Sequence, residues 1–168
     1  MTVAGAAFPA PHVEMVRWKV VPGGPVRTLL GDTENPRYMD LLTEQHYVHH
    51  VLRMPPADWP DPVQRGFAHI NPEIYVSMQG PSELGISSDA KLVRWDRSDD
   101  LARIEVPTLV IGAQYDTMDP AHMQKMAERL PGGRYLHCPN GSHLAMYDDQ
   151  QIYFAGLVDF LLGSGPGS

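Results

Sequence analysis

The last third of the chain alternates short apolar runs with helical patterns, and this alternation constrains the fold more than any other feature. Thr108–Ile111 is an apolar, β-branched run of the kind that forms a buried parallel strand. Pro120–Leu130 has the pattern of a helix that ends at a proline and two glycines. Arg134–Cys138 is a second predicted strand, and Gln151–Leu162 is a closing amphipathic helix. Two consecutive βα units are the smallest piece of a doubly wound sheet, so the predicted fold class is α/β.

The composition limits the environment and the partners. With 168 residues, 43% of them hydrophobic, the chain is long enough for one domain with an ordinary core. No apolar run approaches the roughly 18 residues that span a bilayer, and the first residues lack a secretory pattern. The single cysteine, Cys138, fits a reducing cytoplasm. A net charge of −7 without a Lys/Arg cluster argues against nucleic acid as a partner. We therefore predict a cytoplasmic protein that binds neither nucleic acid nor membrane.

The first hundred residues have a different character. Residues 10–100 are rich in proline and glycine and contain no convincing strand. Helical spacing occurs at His12–Val20, at Pro36–Arg53 and at Pro60–Met78. The sequence therefore predicts a helical region that precedes the βα units, and residues 163–168 are predicted to be a flexible tail.

One acid and one histidine follow the two predicted strands. Asp116 comes just after the first strand, and His143 follows the second, 143 − 116 = 27 residues later. Functional groups of open α/β sheets gather at this end of the strands. In a hydrolytic triad the acid accepts the Nδ1–H of the histidine, which then acts as the general base. The alternative is that Asp116 or Asp119 only caps the helix at Pro120 and that His143 is a surface residue. Asp119, directly before the proline, suits the cap better.

The nucleophile that such a pair requires is missing from the pattern. The order acid then histidine is that of α/β-hydrolases, whose serine lies in a G-x-S-x-G turn. No G-x-S-x-G occurs in the 168 residues. The sequence thus carries the acid–base half of a triad without its nucleophile.

Two other groups of residues are weaker candidates for a functional site. His46, His49 and His50 could share a helix face as metal ligands, but no carboxylate or further cysteine is spaced to complete a site. We therefore predict no metal and no cofactor. Cys138 lies in an apolar strand and is most simply a small core residue.

Short phrases spread along the chain form a recognisable set. In chain order they are Trp59-Pro60, Asn71-Pro72-Glu73-Ile74-Tyr75, Met78-Gln79-Gly80-Pro81-Ser82-Glu83, Trp95-Asp96-Arg97-Ser98-Asp99, Val106-Pro107-Thr108-Leu109, Tyr115-Asp116 and Ser142-His143-Leu144-Ala145-Met146-Tyr147-Asp148-Asp149. Through these phrases the chain resembles, over nearly its whole length, the proline iminopeptidases of the α/β-hydrolase superfamily. The G-P-x-E phrase ahead of W-D-R-x-D is specific to that family.

The resemblance implies a partial α/β-hydrolase fold, with a helical cap followed by the last two βα units of a doubly wound sheet. Residues 1–9, with Thr2–Ala7, would be the end of a core strand and the entry to the cap. Residues 10–100 would be the cap, and residues 101–162 the C-terminal part of the core. The serine turn and the oxyanion segment of the family would precede this chain.

The resemblance also implies roles for individual residues. Asp116 is the triad acid, His143 the general base, and Glu83 the cap residue that binds the free α-amine of the substrate. Many members have a second acid directly after the triad acid, where this chain has Thr117. The implied reaction releases an N-terminal residue, preferably proline, from short peptides, and the chain alone is expected to be inactive.

Two alternatives stay open. The same machinery could serve another ester or amide substrate, since a fold does not settle a substrate. The chain could also be a non-catalytic interaction module that associates with itself or with the missing N-terminal part.

Overall fold

The computed structural model describes residues 32–82 and 84–163. The predicted strand Thr2–Ala7, the helical pattern His12–Val20, Glu83 and residues 164–168 lie outside them. The described chain forms two compact units. The first comprises residues 32–43, 60–82 and 84–98, and the second comprises residues 44–59 and 99–163. Among these residues, no helix combines the length and the apolar character that crossing a membrane requires.

The first unit contains three short helices, α1 (Tyr38–Leu42), α2 (Asp61–Ala68) and α3 (Pro72–Gln79). The prediction of one helix over Pro60–Met78 is therefore wrong. Pro72 has no N–H to donate within a continuous helix, and its ring would clash with the carbonyl four residues earlier. The Oδ1 of Asn71 instead accepts the N–H groups of Glu73 and Ile74, at 3.0 and 3.2 Å, and caps the new helix.

A tight turn follows α3. Gly80 has a φ of 105°, which side-chain-bearing residues rarely adopt. A Cβ at this position would also lie 2.0 Å from the Oγ of Ser87. The Ser87 N–H donates to the carbonyl of Gln79 (2.9 Å), and this backbone hydrogen bond joins the end of α3 to Ser87.

The prediction of an α-helix over Pro36–Arg53 is correct only at its start. After α1 the chain continues as a π-helix, Thr43–Val51. The N–H of Leu52 donates to the carbonyl of Tyr47, five residues earlier, at 3.0 Å. Both side chains are buried, so the wider winding places residues with this spacing on one packed face. Short 3₁₀ helices occur at Pro56–Asp58 and Ser98–Arg103.

The second unit contains the predicted βα units. Strands β1 (Thr108–Ala113) and β2 (Gly133–Cys138) are parallel. Helix α4 (Pro120–Arg129) connects them, and α5 (Ala145–Asp148) and α6 (Gln150–Gly163) follow. The register runs from Thr108 opposite Gly133 to Ala113 opposite Cys138. Both strands and both long helices were predicted to within two residues at each end, and the α/β class is confirmed.

Side chains pack on both faces of the strand pair. One cluster joins β1 to α4 and consists of Leu101, Val110, Met126, Ala127 and Leu130. The other joins the strand ends to α5 and consists of Ala113, Cys138 and Ala145. Cys138 is completely buried, which confirms its prediction as a core residue.

Helix α6 packs through a different face from the one its apolar residues suggest. Tyr153, Gly156, Leu157 and Phe160, at helical spacing, are its less exposed residues. A Cβ at Gly156 would lie 2.6 Å from the side chain of Leu136, so the glycine allows close contact with β2. Phe160 is buried, whereas the apolar side chains of Ile152, Phe154, Val158 and Leu161 are exposed.

Candidate active site

The loops after β1 and β2 leave the same edge of the sheet and bond to each other. The Gln114 N–H donates to the Cys138 carbonyl, and the Tyr115 N–H donates to the Gly141 carbonyl, both at 3.0 Å. These bonds continue the ladder beyond the last register pair. The residue that follows Tyr115 is therefore carried toward the second loop.

Asp116 and His143 meet where these loops face each other. The Asp116 Oδ1 lies 3.1 Å from the Nδ1 of His143, so the acid and the histidine that follow the two strands are within hydrogen-bond reach. The Asp116 side chain is 9% exposed and that of His143 is 45% exposed. A carboxylate can only accept, so Nδ1 carries the proton, and in a neutral imidazole Nε2 is then the basic nitrogen. The pair thus has the geometry of an acid and a general base.

Backbone and side-chain donors orient the carboxylate of Asp116. Its Oδ1 also accepts the Met118 N–H at 3.0 Å and the Thr117 Oγ1–H at 3.2 Å. Asp119 has the other predicted role, because its Oδ1 accepts the Ala121 N–H at 2.9 Å and caps α4. The alternative that Asp116 is the helix cap is therefore wrong. Thr117, at the position where the family resemblance implies a second acid, contributes a hydrogen bond to Asp116.

The pair changes the electrostatics of the histidine. The hydrogen bond to Asp116 raises the pKa of His143 above its usual value, burial lowers it, and the negative charge of Asp116 raises it further. The net direction is upward. Asp116 therefore stabilises the imidazolium that a general base becomes after it takes up a proton.

Hydrogen bonds to the acids at the end of α5 hold the loop that carries His143. The carboxylate of Asp148 accepts the Ser142 N–H at 3.0 Å and also the Ser142 hydroxyl. The neighbouring Asp149 accepts the Asn140 N–H at 3.0 Å. A Cβ at Gly141 would lie 2.7 Å from that of Ala145, so this position requires glycine. Ser142 is fully buried, and its hydroxyl is engaged in this framework.

A second support comes from the segment after the π-helix. The His50 carbonyl accepts the His143 N–H at 3.0 Å, and the Val51 carbonyl accepts the Leu144 N–H at 2.9 Å. The Arg53 N–H donates to Asp148 Oδ2 at 3.1 Å, and the Arg53 guanidinium donates to the Asn140 carbonyl at 3.0 Å. The loop of His143 therefore lies between α5 and residues 50–53.

The three clustered histidines have other environments. His50 contacts the carbonyl of Tyr115 through Nδ1 at 2.9 Å, and its ring lies 5.1 Å from that of His46. Burial, together with the nearby His50 and His49, lowers the pKa of His46 to about 4. Within residues 32–82 and 84–163, no three potential metal ligands come together.

Sequence reasoning missed the supports of the pair. Asp148 belonged to a matching phrase, and two successive acids after a histidine loop were a usable signal. His50 was considered only as a metal ligand, and nothing local in the sequence points to a contact with Tyr115, 65 residues away. The amine-binding role of Glu83 stays a prediction, because this residue lies outside the described residues.

Several curated proteins that are similar in sequence to this chain are named proline iminopeptidase. The chain is 40% identical over 166 residues to the "Proline iminopeptidase" of Chitinophaga pinensis, covering 96% of this chain and 54% of that one. It is 50% identical over 130 residues to that of Elizabethkingia meningoseptica, covering 77% and 43%. The chain thus spans about half the length of the curated relatives it matches. No protein-family model matches it.

Two solved structures share the fold. The crystal structure of VinJ superposes with a TM-score of 0.75 at 27% identity, covering 88% of this chain and 50% of that one. The proline iminopeptidase of Mycobacterium smegmatis gives 0.64 at 27% identity, covering 83% and 46%. Both neighbours are α/β-hydrolases, which confirms the predicted partial α/β-hydrolase fold.

Proposed function

Because this chain belongs to the proline iminopeptidase family of the α/β-hydrolases, we propose that it supplies the acid–base pair of a serine aminopeptidase. The observation that carries the proposal is the 3.1 Å contact between Asp116 Oδ1 and His143 Nδ1. Asp116 orients the imidazole and stabilises its charged form. His143 Nε2 takes the proton from a serine hydroxyl and later returns it to the leaving amine.

The nucleophile in this proposal comes from a segment with a G-x-S-x-G turn that is not part of these 168 residues. Such a serine lies at the carboxyl end of a neighbouring strand of the same sheet, the edge at which Asp116 and His143 lie. Ser142 is an unsuitable nucleophile, since it is fully buried and its hydroxyl contacts Asp148. We therefore expect the chain alone to be inactive.

The substrate in this proposal is a short peptide with a free N-terminus, preferably proline, and Glu83 contacts its ammonium group. A charge-assisted hydrogen bond in a closed site contributes about 1.5–3 kcal/mol, or roughly ten- to a hundredfold in rate. Thr117 replaces a second acid, so we expect selection at the weaker end of that range. The single, buried cysteine supports a cytoplasmic site of action.

A chimera tests the proposal. The part of the Chitinophaga pinensis enzyme that precedes the matching region, fused before this chain, supplies the missing segment. We expect turnover of prolyl-naphthylamide that is lost in His143→Ala and in Asp116→Ala. A folded chimera whose turnover survives His143→Ala would contradict the role of the pair.

The substrate is tested in the same chimera by comparing kcat/KM for prolyl-naphthylamide and its N-acetylated form. We expect the free amine to be preferred and Glu83→Gln to reduce the preference. Equal values for the two substrates would replace the aminopeptidase with a general esterase or amidase. A preference that survives Glu83→Gln would assign the amine to another group.

A further inference from the structure

We propose that His50 is a positioning residue that sets the relative placement of Asp116 and His143. The proposal rests on the proposed function, because it concerns the acid–base pair described there. His50 contacts the backbone of both loops that carry this pair, and it belongs to neither loop.

His50 reaches the two loops with different groups. Its ring Nδ1 lies 2.9 Å from the carbonyl oxygen of Tyr115, the residue before Asp116. A carbonyl can only accept, so Nδ1 is the protonated nitrogen and donates. Its backbone carbonyl accepts the N–H of His143 at 3.0 Å. His50 is therefore hydrogen-bonded to the backbone of His143 and to the backbone of the residue that precedes Asp116.

The contact with Tyr115 has a direct geometrical effect on the acid. The Tyr115 carbonyl belongs to the planar peptide group that ends at the Asp116 Cα. Fixing that carbonyl fixes the plane and hence the direction in which the Asp116 side chain leaves the backbone. A rotation of this plane would move Oδ1 away from the imidazole, and hydrogen bonds weaken steeply as distance and angle change.

The supports of the two loops are unequal. The loop of His143 has further bonds, from Leu144 to Val51 and from Ser142 to Asp148 of α5. Its Asn140 N–H also donates to Asp149, the residue after α5. The guanidinium of Arg53 lies over the Tyr115 ring, 3.6 Å from its centroid, and this contact restrains the side chain but does not bond the carbonyl. Among the described residues, the imidazole of His50 is the side chain that bonds the Tyr115 carbonyl. Its loss therefore acts first on Asp116.

The position of His50 suits this role. It lies in the last turn of the π-helix Thr43–Val51, and single π-type turns are frequent at functional sites. The Leu52 N–H closes that turn onto the carbonyl of the buried Tyr47 (3.0 Å). The ring of Tyr47 in turn stacks on Trp59, with centroids 6.3 Å apart. His50 is thus attached to a packed element that belongs to neither loop.

The test observes the His143 imidazole by ¹⁵N NMR in the chain as it exists, so it needs no catalytic activity. The pKa and tautomer of His143 are measured in wild type, His50→Ala, His50→Asn and Asp116→Asn. The amide of Asn can donate in place of Nδ1, so Asn is the rescuing variant. His49→Ala, at an exposed position one residue earlier, is the matched control.

We expect Asp116→Asn to lower the pKa of His143 and His50→Ala to move it part of the way toward that reference. His50→Asn should restore the wild-type value, and His49→Ala should leave it unchanged. In the active chimera, His50→Ala should reduce kcat and leave KM nearly unchanged. If His50→Ala does not fold, His50→Gln replaces it, because its longer side chain misplaces the same donor.

The outcomes separate the two proposals. A wild-type pKa in folded His50→Ala, together with a lowered pKa in Asp116→Asn, would overturn the positioning role and leave the acid–base pair intact. A wild-type pKa in Asp116→Asn would remove the pair itself, and with it the positioning role. An equal change in His50→Asn and His50→Ala would show that bulk, and not the hydrogen bond, matters.

Discussion

Asp116 and Asp119, three residues apart in one loop, use their carboxylates for different purposes. Asp119 accepts the Ala121 N–H and begins α4, whereas Asp116 faces the imidazole of His143 at 3.1 Å. The two carboxylates have different roles because Pro120 occupies the first position of the helix and makes the residue before it the N-cap. The two acids therefore make separable predictions.

Asp119→Ala should lower the free energy of unfolding by about 1 kcal/mol, the usual effect of losing an N-cap. The pKa of His143 should not change, because Asp119 does not contact the imidazole in the described structure. Urea denaturation and ¹⁵N NMR measure the two quantities. A shift of the His143 pKa without loss of stability would reverse the assignment of the two acids.

Asp116→Asn should change stability in a pH-dependent manner. The hydrogen bond to Asp116 raises the pKa of His143 in the folded chain, so the folded state binds this proton more tightly than the unfolded state does. The resulting stability is fully present below the unfolded pKa of 6.5 and is lost as the pH rises through the folded value. The difference between wild type and Asp116→Asn should therefore be larger at about pH 5.5 than at about pH 9.

Denaturation series at the two pH values check this prediction, with Asp159→Asn as the control for loss of one negative charge. Asp159 pairs with Arg134 on the surface and does not contact the loops. A stability difference for Asp116→Asn that stays the same at both values would mean that the proton of His143 is not linked to folding through this pair.

Much of the core could be predicted, because β1 is a short, largely apolar run and both strands are bounded by turn residues. The register of Ala113 opposite Cys138 and the contact of His50 with Tyr115 could not, since both join residues far apart in sequence. The break at Asn71-Pro72 was readable from the capping residue and the proline. The packed face of α6 was not, because it includes Gly156, which periodicity does not count as apolar.

The face of α6 can be tested at that glycine. In an exposed helix Gly→Ala stabilises by roughly 1 kcal/mol. At Gly156 the added methyl would lie 2.6 Å from Leu136, and overpacking of this kind costs about 1–3 kcal/mol. We expect Gly156→Ala to destabilise the chain, and the exposed Val158→Ala to change stability by less than about 0.5 kcal/mol. Thermal melts measure the stability of both variants. A more stable Gly156→Ala variant would mean that α6 does not pack closely against β2.

Cys138 should be unreactive while the chain is folded. Burial, together with the charges of Asp149 and Asp148, raises the pKa of its thiol to about 11. The thiolate is the reactive form, and the sulfur is also inaccessible. At about pH 8, labelling by a thiol reagent should proceed only through unfolding and become rapid in guanidinium. Immediate labelling of the native chain would contradict the burial of the second core cluster.

The register of the two strands has a consequence for how the site can vary. A slip by one residue would turn every side chain to the opposite face, and Tyr135 lies so close to Gly112 that a Cβ there would be 2.6 Å from its hydroxyl. The strands therefore cannot absorb an insertion. Ala113 and Cys138 lie opposite each other in the register. Asp116 and His143 therefore each lie a fixed number of residues beyond the same pair. An insertion between Ala113 and Asp116, or between Cys138 and His143, would therefore move one member of the acid–histidine pair away from the other.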